Sequence, residues 1–81
     1  MILQIRCFAG LKEVTGAEVI SVAVDPPVTV GKIRRQMTQD FPQLSPLLDR
    51  CLFAVNEDYA AEESVVEYHD QIACIPPVSG G

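Results

Sequence analysis

The sequence predicts an α+β domain in which a small mixed sheet of four or five strands is covered on one face by a single main helix. Segments with alternating apolar residues lie near both ends of the chain, and one segment between them repeats its apolar residues at helical spacing. With 81 residues, the chain has room for one domain with one small core. A protein that acts through its surface is therefore more expected than an enzyme with an enclosed cleft.

The first two strands are predicted to form a hairpin. Residues 1–8 alternate apolar and polar side chains, as a half-buried strand does, and residues 18–24 repeat the pattern. Residues 9–16 between them contain two glycines in a polar stretch, which is typical of a turn. The side chains expected to face the core are Leu3, Ile5, Cys7, Ile20, Val22 and Val24.

The main helix is predicted to begin after Thr29 and to end before Pro42. Pro26-Pro27 stops the second strand, because proline has no N–H for a sheet ladder. Thr29 is a suitable N-cap, since its hydroxyl can accept a hydrogen bond from the first turn. The apolar stripe of this helix consists of Val30, Ile33, Met37 and Phe41. We expect this stripe to cover the sheet.

The second half of the chain is predicted to add a short helical turn and further strands. Ser45 before Pro46 is expected to cap that turn, and residues 52–55 have the composition of a buried strand. Tyr59 is expected in a short strand, whereas residues 62–66 are irregular or briefly extended.

The last strand is predicted over residues 71–75, and Pro76-Pro77 ends it. The order of hairpin, helix, strand, short elements and strand is that of a β-grasp, or ubiquitin-like, fold. We therefore expect a domain over residues 1–75 and an extended tail over residues 76–81.

Charge and hydropathy exclude several classes of partner. The net charge of −5 and the pI near 4.5 argue against nucleic acid, because a polyanion repels such a surface. Lys32, Arg34 and Arg35 are expected to form the solvated face of the helix. No apolar run approaches the ~20 residues that span a bilayer, and no signal peptide is evident, so we expect a cytoplasmic protein without a membrane partner.

The body of the domain offers little catalytic chemistry. The three cysteines have no C-x-x-C spacing, so we expect reduced core residues, with Cys51 the one that could be partly exposed. His69 is the only histidine and is expected in a solvent-facing turn. No metal site and no bound cofactor are predicted.

The C-terminal hexapeptide has a physical use that the body lacks. Pro76-Pro77 favours an extended path, and Gly80-Gly81 has no Cβ, so this end of the chain is thin enough to enter a channel in a partner. A glycine-rich end can also be merely frayed. Together with the preceding residues, however, it is typical of a carboxyl group that reacts. Adenylation would turn the Gly81 carboxylate into an acyl donor for sulfur.

The chain resembles the small subunits of molybdopterin synthase, the MoaD family, over essentially its whole length. The similar segments are Phe8-Ala9, Leu11-Lys12-Glu13 with Gly16, Thr29-Val30, Asp40-Phe41-Pro42, Ala54-Val55-Asn56, and Ile72-Ala73 before Pro76-Pro77-Val78-Ser79-Gly80-Gly81. The sequence departs from the family at His69, where glycine is usual, and at Gln71, where glutamate is common. These departures affect a turn and leave the tail unchanged.

The resemblance implies a sulfur carrier that is not catalytic alone. An E1-like enzyme would adenylate Gly81 with ATP, and a sulfur donor protein would convert it to a thiocarboxylate. The tail would then enter the large subunit, in a heterotetramer, and give its sulfur to cyclic pyranopterin monophosphate. The residues implied to bind partners are Phe8, Tyr59, Ile75, Pro76, Pro77, Val78 and Ser79, with Gly80 next to the reactive Gly81.

Two alternatives remain open at this point. The chain could carry sulfur for another pathway, such as thiamine synthesis, although related carriers there generally lack the Pro-Pro-Val-Ser approach. It could also be a passive β-grasp interaction module whose terminus has no chemistry.

Overall fold

The computed structural model describes residues 1–77, in which short strands alternate with helices. The elements are β1 (Ile2–Cys7), α1 (Gly10–Thr15), β2 (Val19–Ala23), β3 (Val28–Thr29), α2 (Val30–Asp40), a 3₁₀ turn (Pro42–Leu44), α3 (Ser45–Leu48), β4 (Leu52–Val55), β5 (Asp58–Ala60), β6 (Val65–Val66) and β7 (Ile72–Ile75). Within this part of the chain, no helix combines the length and the apolar character needed to cross a bilayer.

Five strands form one mixed sheet in the order β2-β1-β7-β4-β5. The β1–β2 and β4–β7 pairs are antiparallel, and β1–β7 is parallel, with Ile5 opposite Ile72. The last strand in the chain therefore lies in the middle of the sheet. The predicted α+β, ubiquitin-like architecture is confirmed. A second sheet of β3 and β6 was not predicted, because strands of two residues are too short to show alternation.

One face of the sheet carries the core. Side chains of β1 alternate strictly between exposed and buried, and α2 lies against the buried set. Three of the four predicted stripe residues of α2 are fully buried, whereas Phe41 is partly buried at the helix end. The Thr29 hydroxyl accepts a hydrogen bond from the Lys32 N–H at 3.2 Å, which confirms the predicted N-cap.

The connection between β1 and β2 is not the predicted turn but the short helix α1. Leu11 anchors this helix because its side chain is completely buried in the core. Gly16 ends the helix with φ +74°, and its N–H bonds to the Lys12 carbonyl at 2.8 Å. One buried residue and a left-handed C-cap are enough to stabilise this short helix. It was not predicted, because six residues are too few to show the periodicity of a helix in the sequence.

Two other local predictions are wrong. Ser45 has helical dihedrals and begins α3, so Leu44 occupies the N-cap position and the Ser45 side chain does not cap the helix. Arg34 is not on a solvated face, because only 19% of its side chain is exposed and it forms an ion pair with Glu62 at 2.6 Å. Its guanidinium also donates to the carbonyls of Leu48 and Cys51.

Candidate functional site

The outer face of the five-stranded sheet carries most of the exposed apolar residues that lie near the tail. Tyr59 is 72% exposed and lies opposite Ala54, while Leu52 is 56% exposed and lies opposite Ile75. Phe8 follows directly after β1 and is 43% exposed. The predicted partner-binding residues Phe8, Tyr59 and Ile75 thus share one face, and their role in binding stays a prediction.

Leu52 belongs to this surface and was missed from the sequence. The run Leu52-Phe53-Ala54-Val55 looks like a strand buried on both faces. In the structure, Phe53 and Cys74 point into the core, and Leu52 points away from it. Alternate residues of a strand point to opposite faces of the sheet. This period of two could not be seen in the sequence, because all four residues of the run are apolar.

A groove lies at the base of the tail. It is lined by Phe8 and Ile75 of this surface and by Leu47 of α3. β7 ends at Ile75, Pro76 is buried against the body, and Pro77 is exposed. The remaining residues that line the groove are Ala9, Gly10, Pro76 and Pro77. The lining is almost entirely apolar, which suits the apolar side chains of a partner.

The backbone at Ala9 is strained, with φ +48° and ψ −125°, a conformation that favours glycine. The sharp reversal there leaves Phe8 exposed and turns Leu11 into the core. The strain is therefore located where the chain changes from the outer face of the sheet to its inner face.

The four predicted tail residues Val78, Ser79, Gly80 and Gly81 lie outside the described residues. The structure therefore leaves their predicted roles untested. It shows that Pro76 and Pro77 follow directly after the central strand, beside the exposed apolar surface.

The three cysteines are buried and free, including Cys51, for which partial exposure was left open from the sequence. Burial is the main cause that raises the pKa of each thiol, and the neighbouring thiols raise the pKa of Cys7 and Cys74 further. Cysteine reacts as the thiolate, so these side chains are poor nucleophiles at neutral pH. The structure confirms that they are core residues.

The β4–β5 turn is anchored by Asn56. Its N–H donates to the Gln71 carbonyl at 2.7 Å, and its side-chain oxygen accepts from the Gln71 N–H at 2.9 Å. Its amide nitrogen donates to Asp70 at 3.0 Å. Hydrogen bonds from the Glu67 N–H and then from Asn56 lower the pKa of Asp70. The turn is therefore rigidly tied to the segment that precedes β7.

The two family departures lie next to this anchored turn. His69 is exposed in a turn, as predicted, and its ring meets that of Tyr68 edge to face at a centroid distance of 5.5 Å. Gln71 is exposed at the edge of the outer face. Neither residue is part of the groove at the base of the tail.

Comparison with known proteins agrees with this architecture. Residues 5–81 match the model of the ThiS family. The chain belongs to the ThiS family. It is 37% identical over 83 residues to the molybdopterin synthase sulfur carrier subunit of Dictyostelium discoideum, and the match covers 96% of this chain and 94% of that protein. The resemblance inferred from the sequence is therefore confirmed.

A second group of relatives consists of archaeal modifiers. The chain is 31% identical over 87 residues to small archaeal modifier protein 1 of Haloferax volcanii, covering 98% of this chain and all of that one. The crystal structure of SAMP1 from Haloferax volcanii superposes with a TM-score of 0.84 at 30% identity, and the match covers both chains completely.

One solved structural neighbour is part of an assembly. A chain from the complex of subunits 1 and 2 of molybdopterin-converting factor from Helicobacter pylori 26695 superposes with a TM-score of 0.68 at 23% identity, and each chain is completely covered. At this identity, the likeness is one of fold.

Proposed function

We propose that this chain is a sulfur carrier in molybdenum cofactor synthesis, with the Gly81 carboxyl group as the carrier. The observation that carries the proposal is the match over nearly the whole chain to relatives named molybdopterin synthase sulfur carrier subunit. The Gly-Gly end and the apolar surface beside the tail base support it further.

The proposed chemistry takes place on the terminal carboxylate. An E1-like enzyme transfers AMP from ATP to Gly81 and releases pyrophosphate. The terminal sulfur of a persulfide on a sulfur donor protein then displaces AMP, and a thiol cleaves the resulting acyl disulfide. The products are a C-terminal thiocarboxylate and a disulfide between the donor and that thiol.

In the proposed next step, the thiocarboxylate gives its sulfur to cyclic pyranopterin monophosphate in the large subunit. Two rounds supply the two sulfurs of the dithiolene, and the assembled synthase is a heterotetramer of two small and two large subunits. The catalytic side chains come from the large subunit. This division of roles suits a body whose thiols have raised pKa values and whose histidine is an exposed turn residue.

Docking through a tail alone would be weak, because ordering a peptide costs conformational entropy. The exposed apolar residues beside the tail base offset that cost by burying area on the large subunit. Phe8, Tyr59 and Ile75 are the proposed anchors, together with Leu52.

Removal of Gly81 tests the proposal. The deletion withdraws the carboxyl group by ~3.3–3.6 Å along an extended chain, whereas reacting atoms must lie within about 3–3.5 Å of each other. Sulfur transfer in a system with the activating enzyme, ATP, the sulfur donor and the large subunit should be lost. The melting temperature should stay unchanged, because no core residue is altered.

Two controls complete this experiment. An appended residue after Gly81 should also abolish transfer, since the new carboxyl group overshoots the site. The intact mass of the native protein from its own cells should show a fraction with one oxygen replaced by sulfur. Near-normal turnover by the deletion variant would refute Gly81 as the carrier.

A second candidate function is covalent protein modification. The likeness to small archaeal modifier protein 1 favours it, because an activated Gly81 could also acylate an amine of another protein. Conjugates that survive denaturation and disappear when Gly81 is deleted would support this role. Conjugates and thiocarboxylate found in the same cells would show that both roles exist.

A further inference from the structure

A second, smaller groove lies on the outer face of the sheet. Its floor includes Ala54 and Ala73, which are direct partners on β4 and β7. One wall is formed by Arg6 and Phe8, and Glu57 stands on the opposite side with Gln71. The volume of about 170 Å³ suits one long side chain and is too small for a folded segment.

Glu57 reaches this rim at a conformational cost. Asn56 and Glu57 have φ values of +52° and +72°, the pattern of a hairpin turn that prefers Asn-Gly. A glutamate at the glycine position costs free energy, and such outliers often occur at functional positions. The Asn56 bonds to Asp70 and Gln71 hold the turn in place, so this rim of the groove is preorganised.

The Glu57 carboxylate makes no ion pair within residues 1–77. Two cations of the body have other carboxylate partners: Lys12 pairs with Glu18 at 2.9 Å, and Arg34 pairs with Glu62. Arg6 lies on the other wall, where its guanidinium is 5.9 Å from the centre of the Phe8 ring. The groove therefore has an apolar floor between the Glu57 carboxylate on one rim and the Arg6 guanidinium, which lies over the Phe8 ring, on the other.

We propose that Glu57 is a specificity-determining residue that receives a basic side chain of the large subunit. Lysine and arginine have an apolar stem and a charged head. The stem would lie on Ala54 and Ala73, and the head would meet the Glu57 carboxylate. The net charge of −5 favours a cationic partner surface in general. This inference rests on the proposed function, because it assumes that the large subunit binds this face.

Glu57→Asn is the decisive variant, and Asp58→Asn is its matched control. Asparagine tolerates positive φ better than glutamate, so the first variant removes the charge without adding strain. Tyr59 and its partner Ala54 point to the outer face of the sheet. Asp58 directly precedes Tyr59 in β5 and lies opposite Val55, so its side chain points to the inner face. Both variants change the net charge equally, at neighbouring positions on opposite faces of the sheet.

The measurement is the Kd for the purified large subunit, by titration calorimetry at low and high salt. Glu57→Asn should weaken binding about threefold to tenfold at low salt and less at high salt. Asp58→Asn should change the Kd by less than about twofold. Glu57→Gln, which keeps the size of the side chain, should behave like Glu57→Asn. The melting temperature of Glu57→Asn should be no lower than that of the wild type.

Each failure has its own meaning. Wild-type binding with no loss in the Glu57 variants would overturn the inference and leave the proposed function standing. Equal loss in the Glu57 and Asp58 variants would also overturn it, because general charge attraction would explain both. If the wild-type chain did not bind the large subunit at all, the proposed function and this inference would fall together.

Discussion

The inner and outer faces of the five-stranded sheet come from the same strands but differ in what covers them. On the inner face, Phe53 and Cys74 are almost completely buried beneath α2 and its neighbours. On the outer face, Leu52 and Tyr59 remain more than half exposed. Within residues 1–77, no element covers the outer face. The comparison shows that apolar character alone does not distinguish core residues from exposed ones in this chain, whereas the strand register does.

The largest expected effect is on the inner face. Phe53→Ala should lower the free energy of unfolding by about 3–5 kcal/mol, because it empties the centre of the core. It also removes the ring that lies 5.0 Å from the Arg34 guanidinium. Chemical denaturation measures the change. Tyr59→Ala is the matched control on the outer face and should cost less than about 1 kcal/mol. Equal losses would contradict the contrast between the faces.

A smaller effect is expected on binding from the outer face. Phe8→Asp and Ile75→Asp should each weaken association with the large subunit by about 1–2 kcal/mol, as loss of an interface anchor does. Ile2→Asp is the control, since Ile2 is an exposed residue of the same face at the far end of β1. Calorimetric Kd values measure the effect, and melting curves verify folding. A similar loss of affinity in Ile2→Asp would contradict the prediction, because binding would then involve the whole outer face and not only the part beside Pro76 and Pro77.

The smallest effect is expected at Asp70, which lies on neither face but in the turn that precedes β7. Its pKa is lower in the folded protein, so its stabilising effect is present above the unfolded value near pH 4. That effect is lost as the pH falls through the folded pKa. The melting temperature of Asp70→Asn should lie below that of the wild type at pH 7, and the gap should close under acid conditions. If the difference in melting temperature stayed constant with pH, packing and not the charge of Asp70 would explain it.

The longer elements of the fold were predictable because their apolar residues recur at a regular spacing over enough positions. β1, β2 and α2 each show their period, and Thr29 and Pro42 mark the ends of the helix. The helix α1 was missed because it depends on one buried residue, Leu11. The β3–β6 pair was missed because its two strands are far apart in the sequence. Arg34 was misjudged because its partner Glu62 lies 28 residues away in the sequence.

The site was predictable in part. Phe8, Tyr59 and Ile75 came from the family resemblance, and the structure places them on one face. Leu52 and the Ala54–Ala73 floor were not predictable, because they depend on the register between β4 and β7. Glu57 gave no signal in the sequence, since its unusual backbone conformation is visible only in three dimensions.

The central position of β7 has a consequence for biosynthesis. β1 and β4 are made early, but neither can complete its hydrogen bonding until the strand between them has left the ribosome. The five-stranded sheet can therefore close only after residues 72–75 have emerged, and until then the edges of β1 and β4 that β7 will occupy stay unpaired. Sheet formation is thus a late event in the synthesis of residues 1–77, although β1 and β2 can pair much earlier.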